Sequence, residues 1–286
     1  MMSHLTRRQF LKLSIGTTIA GVASLGGGVA HALTVEPRAL SLERITIRLA
    51  RLPRAFDGWR IVQLSDFHHS AYTGDAEVHA AVVAANALRP ELILLTGDFV
   101  SAVQSNRHAD ACVRLLAGLR APAGIFGIMG NHDYWDNGAL IRDTMRVYNI
   151  PMLLNDAVAI ERDGARLWLA GIEDVSLGRH DLARALRSVP HDEATILLAH
   201  EPDFADEAAR YPVDLQLSGH SHGGQVRLPL VGPMVLPEYG EKYPMGWYQI
   251  GNLQLYTTRG IGMIPPPLRM NCPPEVTEIT LRSAQV

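Results

Sequence analysis

Ile125-Phe126-Gly127-Ile128-Met129-Gly130-Asn131-His132-Asp133-Tyr134 is an apolar, strand-like run that ends at a glycine and gives way at once to three polar residues. A buried strand that ends this way delivers side chains to the rim of a sheet, where sites are commonly built. Taken alone, the tetrapeptide fits a solvated Gly-Asn turn equally well. Four other segments decide between the two readings. Arg60-Ile61-Val62-Gln63-Leu64-Ser65 runs into Asp66-Phe67-His68, and Glu91-Leu92-Ile93-Leu94-Leu95-Thr96-Gly97 runs into Asp98. Thr195-Ile196-Leu197-Leu198-Ala199 runs into His200, and Leu215-Gln216-Leu217-Ser218-Gly219 runs into His220-Ser221-His222. Asp66 and His68 are two apart, as are His220 and His222, so each pair faces one way on extended chain.

Carboxylates and imidazoles suit hard to borderline divalent ions, and an Asn oxygen adds a neutral ligand. No cysteine falls in these segments, which argues against a thiolate-rich structural zinc site. Seven candidate ligands are too many for one ion. They suit two ions sharing a carboxylate, roughly 3.5–4 Å apart, an arrangement used in phosphoester cleavage.

The order Asp-x-His, Gly-Asp, Gly-Asn-His-Asp, His, Gly-His-x-His, from Asp66 to His222, resembles the calcineurin-like metallophosphoesterases. The run Gly219-His220-Ser221-His222-Gly223-Gly224-Gln225-Val226-Arg227-Leu228-Pro229 and the later Arg259-Gly260-Ile261-Gly262 resemble the bacterial YaeI-like phosphodiesterase branch of that family. The resemblance implies that Asp66, His68 and His222 hold a first metal and Asn131, His200 and His220 a second. Asp98 would bridge the two, and His132 would face the substrate without binding metal. It also implies a four-layer αββα sandwich. Ser101 departs from the pattern, standing where many members carry an acidic residue; that bears on tuning more than on metal binding. His69 reads equally as a support for the site or as a solvated loop residue.

The chemistry expected is hydrolysis of a phosphodiester by metal-activated hydroxide, with two divalent ions (Mn, Fe or Zn) as cofactors. His132 would act as general acid or stabilise the equatorial oxygens. Asp133 would either orient His132 or cap the turn. Asp174, Arg259 and Arg269 fit surface ion pairs better than substrate contacts. Two competing readings are a pyrophosphatase acting on UDP-2,3-diacylglucosamine, suggested by the resemblance, and a non-catalytic metal-binding scaffold. An export motif argues against the first, because nucleotide-sugar lipid precursors are made inside the cell. A scaffold would be free to lose ligands, yet all seven positions and His132 are filled.

That export motif is Thr6-Arg7-Arg8-Gln9-Phe10-Leu11-Lys12, of twin-arginine form. Leu13 to Ala30 then carries no charge, and Ala30-His31-Ala32 offers a small-x-small cleavage site. Residues 1–32 therefore read as a signal and 33–286 as a single metallophosphoesterase domain. The translocase is the expected partner in export, and the periplasm or cell envelope is the destination, with membrane association if the signal stays uncleaved. The twin-arginine route carries folded proteins. A site built from ligands as distant as Asp66 and His222 exists only after folding, so metal can be loaded beforehand.

The 286 residues carry a net charge of −3 with no basic block in the mature chain, which gives no nucleic-acid surface. The expected partner is a phosphodiester substrate, lipid-linked ones included. Cys112 and Cys272 do not make a disulfide framework.

The rest of the chain reads as α/β. Ser41–Leu52 alternates like a half-exposed strand. Asp75–Leu88, with Asp75 as N-cap, and Asn106–Leu119 read as helices between the first three motif strands, which is the parallel crossover pattern. Gly138–Tyr148, Arg179–Arg187 and Asp203–Arg210 read as helices. Met152–Leu154, Val158–Glu161, Leu167–Ala170, Leu253–Thr258 and Val276–Leu281 read as strands. Two sets of strands flanked by helices predict two packed sheets with helices outside.

Overall fold

The computed structural model describes residues 27–101 and 105–284. The twin-arginine motif lies outside them. The described chain opens with a helix over 27–34 (α1), so the expected boundary after Ala32 falls inside a helix. Ala32 itself is buried, and its carbonyl accepts the Arg269 N–H at 3.0 Å.

The first sheet takes β1 (Ser41–Leu49), β2 (Arg60–Leu64), β3 (Leu92–Leu95) and β4 (Ile125–Gly127). Helices α2 (Asp75–Ala87), α3 (Ser105–Leu116) and α4 (Asn131–Val147) follow the last three. The second sheet takes β5 (Asp156–Arg162), β6 (Ala165–Gly171), β7 (Thr195–Leu198) and β8 (Leu215–Ser218). A two-residue ribbon, β9 (Arg227–Leu228) and β10 (Gly232–Pro233), interrupts the order. The chain closes with β11 (Gly246–Ile250), β12 (Leu253–Thr257) and β13 (Glu275–Ser283). The sheets run β1-β13-β2-β3-β4 and β11-β12-β8-β7-β6-β5, both mixed.

The motif strands β2, β3, β7 and β8 are buried on both faces because both faces are covered. Ile61, Leu92 and Leu94 meet Leu169, Ile196 and Leu217 between the sheets. Val62, Leu64, Ile93 and Leu95 turn the other way, onto α2 and α3. Ala170, Leu197 and Leu255 pack on the outer face of the second sheet, against the short helices Leu182–Ala185 and Ala205–Ala208. The layers are helix, sheet, sheet, helix, as expected.

Several elements differ from the reading of the sequence. Gly74, not Asp75, is the N-cap of α2, and Asp75 is its first residue. Met152 makes a single bridge to Gly127 instead of a strand. The helix expected at Gly138 begins at Asn131, because extended Gly130 caps it and Asp133, at the third helical position, accepts the Gly130 N–H at 3.0 Å. Asn137 leaves helical geometry and kinks α4 there. β11 was not anticipated.

Candidate metal centre

The C-terminal ends of β2, β3, β7 and β8 and the N-terminus of α4 meet at one rim, where open α/β sheets place sites. The β2 and β3 loops keep pairing past their strands. Asp66 N–H bonds the Gly97 carbonyl at 2.9 Å and His68 N–H the Asp98 carbonyl at 3.0 Å. Asp66, His68, Asp98, His220 and His222 all have left-handed φ, between 43° and 70°. Each such residue costs about 1–3 kcal/mol, a strain that persists where the surroundings impose it and that gathers at functional sites.

All eight expected residues converge. Asp66, His68 and His222 form one group whose donor atoms lie within 4.8 Å of one another; Asp66, Asp98 and His200 form another, and His68, Asp98 and His132 a third. Asp98 joins them. Its Oδ2 lies 3.3 Å from His68 Nε2 and 3.2 Å from His200 Nε2. His68 and His222 bring their Nε2 atoms to 2.9 Å. His220 Nδ1 lies 3.2 Å from Asn131 Oδ1, and the His220 and His200 rings are 5.1 Å apart.

Backbone groups fix which atoms face inward. His200 Nδ1 bonds the Thr96 carbonyl at 2.7 Å, which leaves Nε2 for the centre. His220 Nε2 bonds the Glu238 carbonyl at 2.8 Å, which leaves Nδ1. Asp66 Oδ1 accepts the His220 N–H at 2.9 Å, while its Oδ2 is buried with no hydrogen-bond partner, as is His200 Nε2. Buried polar atoms without partners are costly, and anchored imidazoles are the usual mark of metal ligands. The donor set therefore fits divalent cations. Gly130 is required by the close approach: a Cβ there would lie 2.3 Å from Asp98 Oδ1 and 2.7 Å from His200 Nε2.

The electrostatics follow from burial and crowding. Burial works to raise the Asp98 pKa, but His200, His132 and His68 outweigh it and hold the carboxyl well below the usual range. Burial lowers His222 and His220, reinforced by His68 and His200 respectively. Burial pushes His132 down to about 4, although Asp98 opposes it. The His132 ring stands edge-on to His68 with centroids at 4.6 Å.

The sequence reading missed four roles. Asp133 neither orients His132 nor merely caps a turn: it accepts from the N–H groups of Asp98, Phe99, Val100 and Gly130. Trp135 exposes its ring 4.3 Å from that of His132, one helical turn on. Arg269 is no surface ion pair but fully buried, donating to the carbonyls of Cys272, Arg259, Gly260 and Gly262. Asp174 is likewise buried, accepting from Ser176 Oγ at 2.7 Å. Arg259 pairs with Glu43 and Glu275. His69 is buried between His108 and Asp75, at 2.9 and 2.8 Å. Cys112 and Cys272 are both free and buried.

Comparison with known proteins shows what the chain is similar to. The family model of calcineurin-like phosphoesterases matches residues 60–224. The metallophosphoesterase YkuE of Bacillus subtilis is 38% identical over 99% of both chains. The phosphodiesterase YaeI of Escherichia coli is 33% identical over 97% of this chain and 99% of its own. The solved structure of TT1561 of Thermus thermophilus aligns over 71% of this chain and 90% of its own, at 14% identity and a TM-score of 0.49.

Proposed function

Since the chain belongs to the calcineurin-like phosphoesterase family, and is thus a metal-dependent phosphoric ester hydrolase, we propose that it is a phosphodiesterase working with two divalent ions. Asp66, His68 and His222 would hold one ion, and Asn131, His200 and His220 the other. The observation that carries this assignment is Asp98, whose single oxygen Oδ2 lies within 3.3 Å of one imidazole from each set. Bound there, the two ions would lower the pKa of a water and offset phosphate charge.

The chain's own residues do the rest. Backbone carbonyls of Thr96 and Glu238 keep His200 and His220 turned inward. The N-terminus of α4 turns its positive end to the rim, which favours an anionic phosphoryl group. His132, with its pKa near 4, is a neutral ring at working pH. Its role is to donate its N–H to a phosphoryl oxygen as charge builds there. The preference for diesters is supported by the likeness to YaeI, whose name gives that activity. The twin-arginine motif supports action in the cell envelope.

The test is a hydrolysis screen of metal-reconstituted protein on bis-p-nitrophenyl phosphate, p-nitrophenyl phosphate, glycerophosphodiesters and UDP-diacylglucosamine. Diesters should turn over fastest. A preference for the monoester or for the nucleotide-sugar pyrophosphate would overturn the reading.

A further inference from the structure

The ten residues Leu228 to Pro237 contain no charged side chain, yet they stand on the surface. They form the tip and return of the β9–β10 ribbon. Leu230 is fully exposed, Val231 is 70% exposed, Val235 76% and Met234 53%. Single exposed apolar residues are ordinary, but a contiguous cluster on a protruding loop marks a contact surface. The ribbon is fixed at its root: Arg227 Nη1 donates to the Gly223 carbonyl at 2.8 Å, and Met234 N–H to Val226 at 3.0 Å. It leaves the chain five residues after His222 and returns to it at Glu238, whose carbonyl holds His220. The root of the ribbon is therefore joined to the loops of the metal centre.

A second apolar element lies beside it. Helix α1 exposes Val29 and Leu33, and Val35 just beyond it is also exposed. The segment Arg269-Met270-Asn271 joins the two elements. Its Arg269 N–H bonds Ala32, its Met270 N–H bonds the Gln225 carbonyl at 3.0 Å, and its Met270 carbonyl accepts the Arg227 N–H at 2.9 Å. Glu36 reinforces the junction by accepting the Cys272 N–H at 2.5 Å. The chain entering α1 is the uncharged stretch that begins at Leu13.

We propose that the β9–β10 ribbon and α1 together form a membrane-docking surface, with the ribbon tip entering the headgroup region of a bilayer. The occupant follows from two features. The tip is apolar without a basic ring, which suits insertion of side chains more than attraction to charge. The segment leading into the adjoining helix, Leu13 to Gly26, carries no charged residue, so nothing in it opposes contact with a bilayer surface.

The experiment uses the full chain with Leu230→Cys, labelled with a polarity-sensitive thiol dye; Cys112 and Cys272 are buried and do not compete. A second variant, Asp163→Cys, carries the dye on the β5–β6 turn, at the opposite ends of the strands. Vesicles of phosphatidylethanolamine and phosphatidylglycerol should blue-shift the dye at position 230 but not at 163, and brominated acyl chains should quench only the first. No response at 230, or an equal response at both positions, would overturn the proposal. So would a blue shift at 230 that grows with protein concentration without vesicles, which would assign the surface to a second copy of the chain. The readout needs neither metal nor turnover, so its outcome is independent of the phosphodiesterase reading.

Discussion

The Asp133 carboxylate holds the loop of Asp98: Oδ2 accepts the Asp98 N–H at 2.9 Å, and Oδ1 accepts the next N–H, of Phe99, at 2.8 Å. Asp133 sits in the first turn of α4, so the helix that carries Asn131 and His132 is tied to the loop that carries the shared carboxylate. Burial, with the Asp98 charge added, pushes the Asp133 carboxyl up to about 8, against the backbone donors that favour its ionised form. Asp133→Asn preserves shape but turns an N–H₂ toward backbone N–H groups. Metal affinity should fall about 10–100-fold, as for other groups that orient ligands. Saturating metal should restore most of the rate. Unchanged affinity in a metal titration would show that the clamp is not needed.

If Asp98 is shared between two ions, metal should contribute strongly to stability. Ligand binding to the folded state alone adds about 2.7 kcal/mol per site at a hundredfold excess over Kd, and each kcal/mol moves Tm by about 2–4 °C in a protein of this size. Chelation should therefore lower Tm by roughly 5–10 °C per site vacated. Asp98→Asn should lose metal and activity together and show little of that shift. Two ions per chain remaining in the variant by elemental analysis would end the bridging role.

The candidate site was legible because each ligand motif follows an apolar run, and such runs become parallel strands whose ends share one rim. Asp66, Asp98, His200 and His220 announce themselves by that position alone. Residues that act through the backbone were not legible. Asp133 is indistinguishable in sequence from a turn cap, because its partners at Asp98 and Phe99 lie far back in the chain. Arg269 reads as a surface charge, since nothing local reveals that four carbonyls surround it. The sheet order was hidden for the same reason. β13 inserts between β1 and β2 through pairings such as Ile279 with Ile45 and Ile61, which no local pattern encodes.

Export makes a separate prediction. Replacing Arg7 and Arg8 by Lys should trap folded, metal-loaded protein in the cytoplasm, because the translocase reads the arginine pair. Fractionation that finds the double variant reaching the envelope normally would rule out the twin-arginine route.

His132 separates binding from chemistry. It follows Asn131 immediately, yet its backbone N–H bonds Asp98 Oδ1 at 2.9 Å while its ring lies against His68 and Trp135. Its Nδ1 is buried without a hydrogen-bond partner. His132→Ala should therefore keep both metals and the fold. Burial holds the ring's pKa near 4, so at pH 7 it carries no proton to spare and offers only one N–H. A group that stabilises charge on the phosphoryl oxygens helps every diester alike, and losing one such donor costs about 10²–10³-fold in kcat. The variant should lose that much on bis-p-nitrophenyl phosphate and on an alkyl diester equally. A general acid behaves differently: p-nitrophenolate leaves with little protonation, so a loss confined to the alkyl diester would mean that His132 protonates the leaving oxygen. Unchanged rates on both substrates would remove it from the mechanism, and loss of metal would make it a ligand.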